Sequence, residues 1–457
     1  MAALAHRKPD AGILKQFSYV ESVETCLPAL PTVAIDDDGC RRRNRTVTRV
    51  TSLRKGTFAT SLVGAKDIRG RGSHFSEVPH ADPFILVHFV ETAMRIKPPF
   101  CAHPHLGTEV ASLLLRGEEV WPWDNLKGFE ETKLHAGGVY LCSTGRGLVH
   151  DESESPPFPD RRVMRAAFDA ELEGGNEPCA PGDTRSQFVQ CWWNAGYIYE
   201  TPLPECTTQL VAPENIPLCV IPGGMAVRVL IGDLPAQGGG GDGGHDNGVT
   251  ARCSSPVKQR GTSPVLLLHA RVAPGGDATL SLPAAMNGFL FVNDPDGGRV
   301  IVGSTPSHVN NTSDGGTSSD ELLFGGDIEG KQMAKLPPGG TDLRFRNPSS
   351  EKPCELLIFL GMPVRKPYCK YVGYGGAMVH HSRELVEEAM AVYERDPKNF
   401  GREDSSAQID WSKYYLVEGF QNRGGPGYER GDGIKARFAE MSDGKGGNGG
   451  GAGVMKE

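Results

Sequence analysis

Four side chains able to hold a metal fall into two short pairs along this 457-residue chain: His103-Pro104-His105 and, forty-five residues on, His150-Asp151-Glu152. Within each pair the capable residues are spaced i, i+2. Alternate residues of a β-strand point to the same face, so His103 and His105 can enter one cavity, and so can His150 and Glu152. Two such strands facing each other gather three imidazoles and one carboxylate around a point. Around a 2+ ion that set leaves a net charge of +1. Without thiolates it does not suit a closed structural zinc site. Mixed nitrogen and oxygen donors suit Fe(II), with Mn, Ni, Cu or Co as substitutes. Four protein ligands in an octahedral field leave two positions for an oxygen donor and dioxygen, and the ion would lower the pKa of a bound hydroxyl.

Other groups nearby are weaker candidates. His88, His135 and Cys142 lack a partner at ligand spacing and are read as structural. Arg146, between Gly145 and Gly147, either orients a carboxylate or is simply a turn residue.

These side chains need strands to position them, and the chain supplies them in series. Thr46 to Ala65 reads as strand-turn-strand. Further β segments fall at Asp82–Val90, at the HPH motif and on through Leu115, at Val139–Cys142 and at Phe188–Asn194. A second β-rich half contains Val227–Gly232, Val265–Val272, Thr279–Pro283, Gly288–Asn293 and Glu355–Gly361. Short strands with turn signals at about ten-residue spacing indicate a barrel or sandwich. The clearest helix starts at the N-cap Ser382, carries an apolar stripe of Leu385, Val386, Ala389, Met390 and Tyr393, and stops at Pro397. The domain reading is an N-terminal extension over 1–45, a first barrel with the metal motifs over 46–200, a second barrel over 201–400 and a polar Gly-rich tail over 401–457. Insertions fall near 236–262 and 303–335, within the second barrel. That second half has no HxH or HxE; Asn287-Gly288 stands near where such a motif would fall, so no metal is expected there.

Composition narrows the class. A net charge of −8 gives no basic surface for direct nucleic-acid binding. Eleven cysteines at irregular spacing read as free thiols in a reducing compartment. The first residues lack a secretory apolar core, and no apolar run approaches the roughly 18 residues needed to span a membrane. The expected location is cytoplasmic, nuclear or both. The basic run Arg41 to Arg45, after Asp36 to Asp38, reads as a solvated loop, with a nuclear address as the alternative.

The motifs also carry a resemblance. His103-Pro104-His105-Leu106-Gly107-Thr108-Glu109 resembles the HPHRGFE signature of pirins, and Ser143-Thr144-Gly145-Arg146-Gly147-Leu148-Val149-His150-Asp151-Glu152 resembles their TAGRGIxHSE signature. Asp82–Leu86 is similar to their DPFLLLD strand and Gln190–Asn194 to their LQLWxN segment. The likeness covers roughly residues 46 to 400. It implies an all-β bicupin, two tandem cupin barrels with a C-terminal helix and Gly-rich surface insertions. Metal, iron in pirins, would lie in the first barrel on His103, His105, His150 and Glu152. It places Glu109 behind the ligands or in a structural role, not on the metal. It implies an Fe(2+)-dependent dioxygenase of quercetin or a similar flavonol, with a small aromatic substrate and dioxygen as partners. The alternative is a redox-responsive, iron-binding nuclear cofactor whose partners are transcription-related proteins. Two positions depart from the pattern: Leu106 replaces the usual Arg and Thr108 the usual Phe, and both are expected beside the metal.

Overall fold

A computed structural model describes strands at 23–26, 48–52 and 59–64, then residues 82–402 apart from 93–102, 118, 127–132, 154–185, 201, 238–251, 294–297, 304–324, 330–331, 337, 340 and 374–375. The basic run at 41–45, the Pro-rich stretch at 155–185, the Gly tract at 238–244, the polar insertion at 304–320 and the tail at 444–453 lie outside the described residues.

Among the described residues, one α-helix and three 3-10 turns apart, the regular structure is β-strand. The first barrel sets a six-stranded sheet against a four-stranded one. The six run in the order Thr207–Val211, Val139–Ser143, Glu109–Arg116, Ser186–Trp193, Phe84–Thr92, Ala59–Gly64; the four are His103–His105, Leu148–Ser153, Glu119–Asp124 and Leu134–His135. The second barrel sets a seven-stranded sheet, from Leu218–Ile221 at one edge to Thr48–Ser52 at the other, against the strands Asp277–Ser281, Asp342–Arg346, Arg299–Gly303 and Gly325–Glu329. This is the bicupin arrangement. The strand-turn-strand reading of Thr46 to Ala65 needs one amendment, because the two strands serve different barrels. Thr48–Ser52 pairs with Gln332–Leu336 and Ala59–Gly64 with Phe84–Thr92.

The barrels meet sheet to sheet, which explains the nearly unbroken apolar runs of the second half. In a strand buried on both faces, alternation between apolar and polar disappears. Phe289, Phe291, Leu357 and Phe359 join the core shared with the first barrel, while Leu290, Val292, Leu356 and Ile358 fill the second. Phe84 meets Phe289 edge-on at 5.7 Å, Phe89 lies 5.1 Å from Phe291, and Phe289 stacks on Phe359 at 4.8 Å. Such offset and edge contacts are the favoured aromatic geometries.

The C-terminal segment returns to the first barrel. The Leu106 N–H donates to Ala377 O at 3.0 Å, and the Val379 N–H to Leu106 O at 2.9 Å. The helix Arg383–Arg395 follows, with the Ser382 hydroxyl accepting from the Leu385 N–H. Val386, Ala389 and Tyr393 pack with Leu106, Val149, Tyr371 and Phe400. The chain's last described elements thus cover the strands bearing both metal motifs.

Two carboxyls at the joint between the barrels respond oppositely to their surroundings. Burial raises the pKa of Glu109 to about 8, only partly offset by the Ser143 hydroxyl (2.7 Å) and Arg260. Burial also acts on Glu355, but His269 at 3.0 Å and Arg116 at 2.5 Å outweigh it and hold the group at about 2. Arg116 belongs to the first barrel and Glu355 to the second. Between about pH 4.5 and 8 folded Glu109 keeps a proton that the unfolded chain releases, so its contribution to stability falls as pH rises through that window. Folded Glu355 binds its proton later than the unfolded chain, so its contribution is present above about 4.5 and is lost as pH falls toward 2. Thermal melts across pH should therefore show Glu109→Gln gaining on the parent as pH rises from about 4.5 to 8 and then levelling. Glu355→Gln should cost about 1–3 kcal/mol at pH 7, shrinking on acidification.

Candidate metal centre

The strand register builds the site. In the four-stranded sheet His150 lies directly opposite His103, and Leu148 opposite His105. Directly paired residues share a face, and the i, i+2 spacing brings His105 onto it diagonally. The ring centroids are 4.6 Å apart for His103–His150, 4.8 Å for His105–His150 and 5.1 Å for His103–His105. One donor nitrogen from each ring falls in a group no wider than 4.8 Å, and all three residues are buried. Pro104 is tolerated between the two histidines because their strand is the edge of its sheet, where a missing N–H disrupts least.

A staple of hydrogen bonds holds the two motifs in register. The Thr108 N–H donates to the Thr144 hydroxyl at 3.0 Å, and that hydroxyl donates to Thr108 O at 2.6 Å. The Thr144 N–H donates to the same carbonyl, and the Gly107 N–H to Gly145 O at 2.9 Å. Gly107 has φ +74°, and a Cβ there would strike the Val379 carbonyl, so the tight approach needs glycine. Thr108, expected beside the metal, is instead half of this staple. Leu106 is also relocated: one position past His105, it faces the opposite way, under the C-terminal helix.

The electrostatics favour ligation. Burial pushes His105 and His150 well below the ordinary imidazole range, and the neighbouring rings of the cluster add to the effect. Neutral rings keep a lone pair for a cation. Burial raises Cys142 well above the usual thiol range, with the Asp124 charge adding to it. It therefore stays a thiol, although its sulfur lies 3.6 Å from His150 Nδ1. His150 Nε2 approaches His103 Nε2 at 3.1 Å. The Nε2 of His105 is buried with no hydrogen-bond partner, an orphaned donor atom of the kind a metal satisfies. Trp192 meets His105 edge-on at 4.7 Å.

Glu152 stands beside the three-imidazole group and is not among the donors that lie within 4.8 Å of one another. Its Oε1 is 3.9 Å from His150 Nδ1. The Ser112 hydroxyl donates to Oε1, and Gln190 Nε2 donates to Oε2 at 2.8 Å. Ser112, Gln190, Tyr140 and His88 form a buried row across four neighbouring strands, through the pairs Ser112↔Tyr140, Ser112↔Gln190 and Gln190↔His88. Burial lowers His88 to about 4. The Tyr140 hydroxyl donates to Asp124 at 3.0 Å. Sequence reasoning passed over Ser112, Gln190, Tyr140 and Asp124. Only the pairing of strands distant in sequence sets them beside the motifs, although their alternation along each strand was readable.

The remaining candidates lie elsewhere. Glu109 is in the joint between barrels, His135 is exposed, and Arg146 donates to Gly401 O at 3.2 Å and sits 4.0 Å from Glu205. That makes Arg146 a tie between the turn and the C-terminal segment. Among the described residues, no helix is long and apolar enough to cross a membrane.

No protein-family profile and no curated protein matches the chain. Among solved structures it is similar to quercetin 2,3-dioxygenase from Acinetobacter baumannii, at 18% identity over 79% of this chain and 98% of that one, with a TM-score of 0.49. It is also similar to the bacterial pirin YhhW in complex with nickel(II) from Escherichia coli, at 12% identity over 71% and 97% of the two chains, with a TM-score of 0.37. The architecture itself, read from the chain's own strand order, is that of two tandem β-barrels, with a buried group of metal-capable histidines in the first.

Proposed function

We propose that the first barrel holds one divalent first-row metal ion, Fe(II) in the working protein, and that the protein is a dioxygenase of flavonol-like aromatic compounds. The observation that carries this reading is the convergence of three buried imidazoles, with one donor nitrogen unsatisfied, next to a buried carboxylate. His103, His105 and His150 would hold the ion, with Glu152 as the fourth donor. Such a centre supplies Lewis-acid and one-electron chemistry. The three rings contribute no charge, so Glu152 is what lowers the charge of a 2+ centre to +1. Trp192 and Cys142 pack against the cluster. The neutral His88 and the Tyr140 hydroxyl give the inner wall polar groups with which to orient a phenolic or enolic substrate.

The test is anaerobic reconstitution of the full chain with Fe(II), followed by quercetin and air, with flavonol absorbance and oxygen uptake recorded together. The expected result is coupled loss of both; a protein that binds iron and consumes neither contradicts the substrate assignment. His105→Ala is expected to lose most of the bound metal, read by elemental analysis of the purified protein, and unchanged metal content would contradict the ligand assignment.

A further inference from the structure

We infer that Ser112 and Gln190 are the positioning residues of this centre, acting through Glu152. The inference rests on the metal-centre reading above and extends it to two residues that neither motif contains.

The geometry is specific. Ser112 lies on Glu109–Arg116 and Gln190 on Ser186–Trp193, adjacent strands in which the two residues are directly paired. Their donors therefore stand side by side on the inner face of the six-stranded sheet. Glu152 comes from the other sheet, on Leu148–Ser153. The two donors take one oxygen each of its carboxylate, so the hydrogen bonds bridge the barrel from wall to wall. All three residues are buried.

Chemistry explains why such a grip matters. An ionised carboxylate in a dry interior is costly unless hydrogen bonds compensate it. Each oxygen has two lone pairs, about four acceptor sites in all, so accepting one bond on each still leaves electron density for a cation. Two bonds from fixed donors also set the rotation of the carboxylate group, which a long Glu side chain does not fix by itself. The carboxylate is thereby held with Oε1 3.9 Å from His150 Nδ1, beside the three rings. Loss of an outer partner of this kind costs about 10–100-fold in metal affinity.

Cobalt(II) titration of the full-length protein, by calorimetry and by its visible ligand-field spectrum, tests this. Ser112→Ala and Gln190→Leu are each expected to weaken cobalt binding about 10–100-fold and to shift the spectrum, while Ser112→Thr, which keeps the hydroxyl, stays close to the parent. In a Glu152→Gln background neither substitution should weaken binding further, because the residue they act through is gone. Thermal melts check folding, and Gln190→Asn, whose shorter amide falls short of the carboxylate, replaces the leucine variant should that one not fold. Parental affinity and spectrum in both variants, or an equal loss with and without Glu152, overturns the inference while leaving the metal centre standing. A parent protein that takes up no cobalt overturns the metal-centre reading and this inference with it.

Discussion

The pairing register between His103–His105 and Leu148–Ser153 is the constraint on which the site depends. Side chains alternate faces along a strand, so a slip of one residue would turn His150 away from His103 and dissolve the cluster. The structure guards that register from both ends. The reciprocal bonds of Thr108 and Thr144 close the loops beside the strands. The carbonyl and N–H groups of Leu106 bind the returning C-terminal segment. A three-residue edge strand broken by proline has little pairing of its own, which is why covering from a segment some 270 residues away is needed.

The two-barrel architecture serves the same end. The sheet carrying Ser112 and Gln190 is pressed on its outer face against the phenylalanines of the second barrel. An inner wall backed by close-packed aromatics has little room to shift, so its polar row stays fixed relative to the histidines opposite. The second barrel thus contributes rigidity to a site that it does not line.

Much of this was legible in the sequence. The i, i+2 spacing of His103 with His105 and of His150 with Glu152, in β context, pointed to the cluster, and the helix at Arg383–Arg395 followed from its cap and apolar stripe. What escaped notice was set by long-range pairing. Thr48–Ser52 reads as a strand anywhere, and nothing local says that it joins the second barrel. Leu106 and Thr108 were expected at the metal because of their place in a motif. Strand alternation turns Leu106 outward, and the backbone of Thr108 turns toward Thr144. Glu109, read either as a neighbour of the ligands or as structural, lies in the joint, because it begins the next strand on its outer face. The row Ser112, Gln190, Tyr140 and His88 exists only once four strands are laid side by side.

The central claim is that three imidazoles from two paired strands, with an oxygen donor beside them, form one first-row metal site. X-ray absorption on the nickel-loaded full-length protein tests it most directly. The account predicts multiple scattering from three imidazoles, light-atom donors otherwise, and no sulfur shell despite Cys142 being 3.6 Å from His150. A spectrum with one imidazole or none, or with a sulfur ligand, would contradict it.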